Sequence, residues 1–104
     1  MFTEKEKQVI EAIMAESNFN CDSIDINKSW AENSETFESG GSFFAIADSD
    51  YRCGMTVPQM RAIFSSLSKK GCITIQADDC NGRPFNWIVI YEDNFANIKK
   101  EMGL

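Results

Sequence analysis

The stretch from Thr56 to Gly71, followed at once by Cys72-Ile73-Thr74-Ile75, limits most tightly what this chain can form. Thr56 and Gln59 make a capping box, in which each side chain satisfies the other residue's backbone N–H. Pro58 falls within the first turn, where a missing N–H has no partner to lose. Val57, Met60, Ile63, Phe64 and Leu67 then recur at helical spacing, and Gly71 stands where a helix exits through a left-handed residue. No residues remain for a long loop, so this helix must hand directly to a strand.

The following residues predict a hairpin. Strands over 72–77 and 85–91 are joined through a segment containing Asn81-Gly82, the strongest short signal for a type I′ turn, whose two central residues both need positive φ. That turn sets Cys80 opposite Arg83 and pairs Ile75 with Ile88 and Ile73 with Ile90. These isoleucines should cover the helical core. The opposite face carries Thr74 against Val89, Gln76 against Trp87 and Asp78 against Phe85, and is too apolar to be left in water. Either a C-terminal helix over 94–102, capped by Asp93 and burying Phe95, Ile98 and Met102, covers it, or Phe85, Trp87, Val89 and Tyr91 form a dimer or partner interface.

Upstream, Thr3 with Glu6 is another capping box, and Val9, Ile10, Ile13 and Met14 mark a first helix over 1–18. Residues 19–41 read as an acidic connector, with a short extra helix over 30–37 capped by Ser29 and Glu32, and with Gly40-Gly41-Ser42 as a break. A second helix starts at Ser42 and buries Phe43, Phe44, Ile46 and Ala47. A turn over 51–55, with Gly54 free to take an angle other residues avoid, leads to Thr56. The whole is one α+β domain over 1–104: a three-helix core, its helix-turn-helix over 42–71, a two-stranded wing over 72–91 and a C-terminal helix within 92–104.

The order of helices, turn and hairpin resembles the winged helix-turn-helix superfamily, including bacterial MarR-type regulators. The segment from Gln59 to Gly71 is also similar to small phage-encoded winged-helix proteins whose third helix ends in a serine-leucine step and lysine-lysine-glycine. The resemblance implies DNA in the major groove against the third helix, with Gln59 and Arg61 facing base edges. Ser65, Ser66, Lys69 and Lys70 would contact phosphates, with Arg83 at the wing tip.

Charge tempers this expectation. The net charge is −6, and residues 20–50 hold seven acids against Lys28 alone, whereas 51–71 hold Arg52, Arg61, Lys69 and Lys70 and no acid. Positive charge lies where a recognition helix needs it, but Asp78 and Asp79 in the wing oppose phosphate. The expected function is therefore a small DNA-binding transcriptional regulator, acting as a homodimer on a repeated site. The competing expectation is an acidic protein-interaction module, including one carried by a phage, that docks on and modulates a host protein complex.

Catalysis is not expected. The chain has no histidine, which removes Ser–His and Cys–His couples, and its four cysteines, at 21, 53, 72 and 80, lack metal-site spacing, so no metal or cofactor is implied. Free thiols, no apolar run long enough to span a membrane and a charged segment from Met1 to Lys7 predict a cytoplasmic protein.

Overall fold

The computed structural model describes residues 1–15, 23–33, 37–41 and 53–104. Along the chain these form α1 (Glu4–Ala15), α2 (Trp30–Asn33), β1 (Phe37–Gly41), α3 (Val57–Lys69), β2 (Thr74–Cys80), β3 (Arg83–Ile90) and α4 (Glu92–Glu101). The expected second helix over 42–50 lies outside the described residues. None of the described helices is long and apolar enough to cross a membrane.

Local chemistry accounts for both ends of α3. The Thr56 hydroxyl accepts the Gln59 N–H at 3.3 Å while Gln59 Oε1 accepts the Thr56 N–H at 2.9 Å. At the far end Gly71 has φ of 74°, and the N–H groups of Gly71 and Cys72 donate to the carbonyls of Ser68 and Leu67, both at 3.0 Å. This paired closure satisfies carbonyls the helix leaves open and turns the chain into β2.

The hairpin forms in the expected register, with Ile75 opposite Ile88, Gln76 opposite Trp87 and Cys80 opposite Arg83. Asn81 and Gly82 both take positive φ, at 53° and 78°. The sheet, however, has three strands in the order β1-β3-β2 rather than two. Phe37 to Gly41 pairs antiparallel with β3, from Phe37 opposite Ile90 to Gly41 opposite Asn86. Phe37 is thus a strand residue and not the end of a helix, and Gly40 and Gly41 extend a strand where a break was expected. The exposed hydrogen-bonding edge of β3 overrides the poor strand propensity of glycine. The extra helix is the single turn Trp30–Asn33, whose Glu32 N–H donates to Ser29 Oγ at 3.2 Å.

The core joins Val9, Ile10 and Ile13 of α1, Met60, Phe64 and Leu67 of α3, Ile73, Ile88 and Ile90 of the hairpin, and Phe95 and Ile98 of α4. Helix α4 starts two residues earlier than expected. Tyr91, not Asp93, is its N-cap, and the Asn94 side chain supplies the bond by accepting the Tyr91 N–H at 2.9 Å. Asn94 and Asn97 each donate an amide to the Gly71 carbonyl, at 2.8 and 3.0 Å, tying α4 to the α3–β2 junction. A Cβ at Gly71 would lie 2.7 Å from Asn97 Nδ2. Gly71→Ala should therefore cost about 2 kcal/mol through its left-handed angle and this approach, read as a lowered urea midpoint with an unchanged slope.

Candidate nucleic-acid interface

Four-residue steps advance slowly around a helix, so residues so spaced form near-continuous rows. On α3 one such row is Arg61, Ser65 and Lys69, all exposed. It spans about 12 Å of helix axis, and α3 carries no acidic residue to offset it. A second row, Ser66 and Lys70, turns toward α1 and is engaged there.

What engages it is Glu6. This carboxylate belongs to the capping box of α1, its Oε1 accepting the Thr3 N–H at 2.8 Å while Thr3 Oγ1 accepts the Glu6 N–H at 3.1 Å. It is also 2% exposed. Oε1 further accepts Lys70 Nζ at 2.8 Å, and Oε2 accepts the Ser66 hydroxyl at 2.6 Å. Lys70 donates to the Met1 carbonyl at 3.1 Å and lies 3.8 Å from Glu101, which itself pairs with the Met1 ammonium at 3.0 Å.

Burial pushes the Glu6 carboxyl toward its neutral form and is the largest single influence on it. The hydrogen bonds from Lys70, Ser66 and Thr3 together outweigh that influence and bring its pKa from 4.5 down to about 2. Lys70 moves upward, chiefly through its bond to Glu6. Nearby, burial and then the negative charge of Glu101 push the Cys72 thiol up to about 11. That sulfur stays protonated and inert at neutral pH.

The expected nucleic-acid residues therefore divide. Arg61, Ser65 and Lys69 share one exposed row, whereas Ser66 and Lys70 are structural partners of Glu6 and are not presented with them. Gln59 is exposed, but its carbonyl oxygen serves the cap and only its amide protons remain for a ligand. Arg83 sits beside the turn, opposite Cys80, and its side chain lies outside the described atoms. Asp78 and Asp79, nearby on β2, are exposed.

The residues expected at a partner interface divide as well. Val89 is 1% exposed and α4 packs against β3, so Val89 is withdrawn from any outer surface. Beside it Thr74 Oγ1 donates to Asn94 Oδ1 at 2.9 Å, and Gln76 donates an amide to the Tyr91 hydroxyl at 2.7 Å. Tyr91 remains 36% exposed. The side chains of Phe85 and Trp87 lie outside the described atoms.

Sequence reading missed Glu6 because its capping role is complete within a few residues and gives no sign of a partner on a distant helix. The chain matches no protein-family model, and neither curated proteins nor solved structures yield a match to it.

The depressed pKa of Glu6 has a defined consequence for pH. Its contribution is fully present above 4.5, the unfolded value, and is lost as pH falls from there through about 2. A gap of that size corresponds to about 3 kcal/mol of stability at neutral pH. Lys70→Met should lower the urea midpoint clearly and move acid unfolding to higher pH, whereas Lys69→Met should leave both nearly unchanged. Equal effects from these adjacent lysines would rule out the assigned ion pair.

Proposed function

We propose that this chain is a small, non-enzymatic winged-helix protein that binds double-stranded DNA through the outer row of α3, as a transcriptional regulator. The observation that carries the reading is that row: Arg61, Ser65 and Lys69, exposed together on an acid-free helix. That helix runs without a loop into an antiparallel hairpin compatible with a wing. Arg61 can present a fork to a guanine edge, and Ser65 and Lys69 suit phosphate oxygens. Ser66 and Lys70 serve in this reading as supports that fix α3 against α1.

The competing reading, an acidic module that docks on a protein, draws on a different observation. Lys70 is neutralised by Glu6, while Asp78 and Asp79 stand exposed on the wing. Such a surface complements a basic partner.

Fluorescence anisotropy with a labelled random duplex separates the two readings. In low salt the protein should bind, and Arg61→Ala and Lys69→Ala should each weaken binding by about three- to tenfold and lower the salt slope by about 1. No binding at low salt rejects the DNA reading. Recovery of one stoichiometric protein from host lysate, lost on Asp78→Lys with Asp79→Lys, would then favour the docking module.

A further inference from the structure

Among the described residues only three large apolar side chains are exposed, and two of them, Met1 at 96% and Leu104 at 67%, line the same cleft. That cleft, of about 760 Å³, opens between the first residues, α1, the segment after residue 23 and the end of α4, and half-buried Phe2, Ile26 and Met102 also line it. Both exposed side chains stand on a fixed backbone. The Leu104 N–H donates to the Lys99 carbonyl at 2.8 Å and the Gly103 N–H to the Lys100 carbonyl at 3.1 Å, with Gly103 at a φ of 76°. Such a closure ordinarily seats the residue after the glycine on an apolar side chain of the last turn. Here that place belongs to Lys99, whose ammonium lies over the Phe95 ring, so Leu104 is held in position and left uncovered. Met1 is fixed at both ends, its ammonium on Glu101 and its carbonyl on Lys70.

The charges around the cleft cancel. Lys7 and Glu11 lie one turn apart on α1, and Lys100 and Glu101 adjoin on α4, so each lip carries one basic and one acidic side chain. Lys7 precedes Glu11, the weaker order for a pair within one helix, and among the described residues neither side chain makes an ion pair or hydrogen bond. A rim of this kind gives no net pull on a charged ligand, and a neutral apolar one leaves it unused. It is complementary to itself. Turned about a two-fold axis, a helix face with a lysine and a glutamate one turn apart meets its own copy with opposite charges opposed. Two chains of net charge −6 repel overall, which confines self-contact to a surface that is locally neutral.

We propose that two copies of this chain associate through this cleft, about a two-fold axis that crosses α1 between Lys7 and Glu11. The two α1 helices run antiparallel across the contact, with Lys7 of each copy against Glu11 of the other, and the two cleft mouths face each other. Met1 and Leu104 leave water there together with Phe2, Ile26 and Met102. A contact confined to the cleft and its lips belongs to the weak, transient class of interface. None of Arg61, Ser65 and Lys69 lines the cleft, so the association stands whether or not α3 binds DNA.

Sedimentation velocity of the full chain without DNA, from low micromolar to near-millimolar concentration, tests the assignment. A monomer–dimer equilibrium is expected. Leu104→Asp should abolish it with the circular dichroism spectrum unchanged, because that side chain is exposed in the monomer. Lys7→Glu and Glu11→Lys should each weaken the dimer about tenfold, since each reversal opposes two like-charged pairs across the axis. An equimolar mixture of these two single variants should regain it as a heterodimer, a result that a local effect on α1 cannot give. Monomer at every concentration, a dimer indifferent to Leu104→Asp or to the charge reversals, or a mixture no better associated than its components overturns the proposal. A chain that stays monomeric while binding the neutral apolar dye Nile red, with binding lost on Leu104→Asp, overturns it in favour of a small-molecule pocket.

Discussion

A carboxylate closed off from water between two helices must be fully partnered, because an unpaired buried charge costs more than most single contacts return. Glu6 meets this condition by accepting from three residues, and each acceptance fixes a different part of the molecule. The Thr3 N–H sets the first turn of α1, the Ser66 hydroxyl sets the rotation of α3, and the Lys70 ammonium sets how far along α3 the contact falls. The arrangement also follows the helix dipoles, with an anion in the first turn of α1 and a cation at the end of α3. Lys70 carries the tie onward to the Met1 carbonyl and Glu101, bringing the end of α4 to the same point.

Everything after α3 depends on the same helix end. Gly71 permits the reversal that closes α3, and its carbonyl receives both Asn94 and Asn97. The hairpin cannot tilt without disturbing α4, because Thr74 and the Tyr91 N–H both bond to Asn94 Oδ1. Phe95 extends the arrangement to the segment before β1, meeting the Trp30 ring at 5.2 Å between centroids with Lys99 Nζ 5.0 Å from its own centroid. Direct packing on β3 and this stack on Trp30 thus hold one short C-terminal helix against elements from both halves of the chain. The apolar hairpin face called for a cover, and at Val89 the chain supplies one itself.

Features closed within a few residues were legible in the sequence. The capping boxes at Thr3 and Thr56, the left-handed exit at Gly71 and the turn at Asn81-Gly82 rest on local geometry, and the turn alone determines which residues of β2 and β3 face each other. Features that need a distant partner were not legible. Phe37-Glu38-Ser39-Gly40-Gly41 has no strand pattern and pairs because β3 offers an unfilled edge. The start of α4 was misplaced because Asp93 is a good cap by type, whereas Asn94, from within the helix, caps the Tyr91 N–H and also reaches Thr74 and Gly71. Lys69 and Lys70 look interchangeable in sequence, yet one helical step separates an exposed ammonium from one paired with a buried carboxylate.

That separation changes the electrostatic character of α3. Counted along the chain, its C-terminal end offers two adjacent positive charges; in space, the charge of Lys70 is largely cancelled within hydrogen-bonding distance. The exposed cations of α3 are Arg61 and Lys69, and Asp78 and Asp79 are exposed on β2. At physiological salt, fields between exposed charges fade over about 8–10 Å, so separation from the row decides whether the hairpin acids would weaken a phosphate contact in the proposed DNA reading. A surface with so few cations displaces few counterions, which holds long-range attraction low and leaves discrimination to close fit. For the proposed DNA reading, Arg61 is therefore the decisive side chain, since it alone in the row joins a permanent charge to a planar fork of donors.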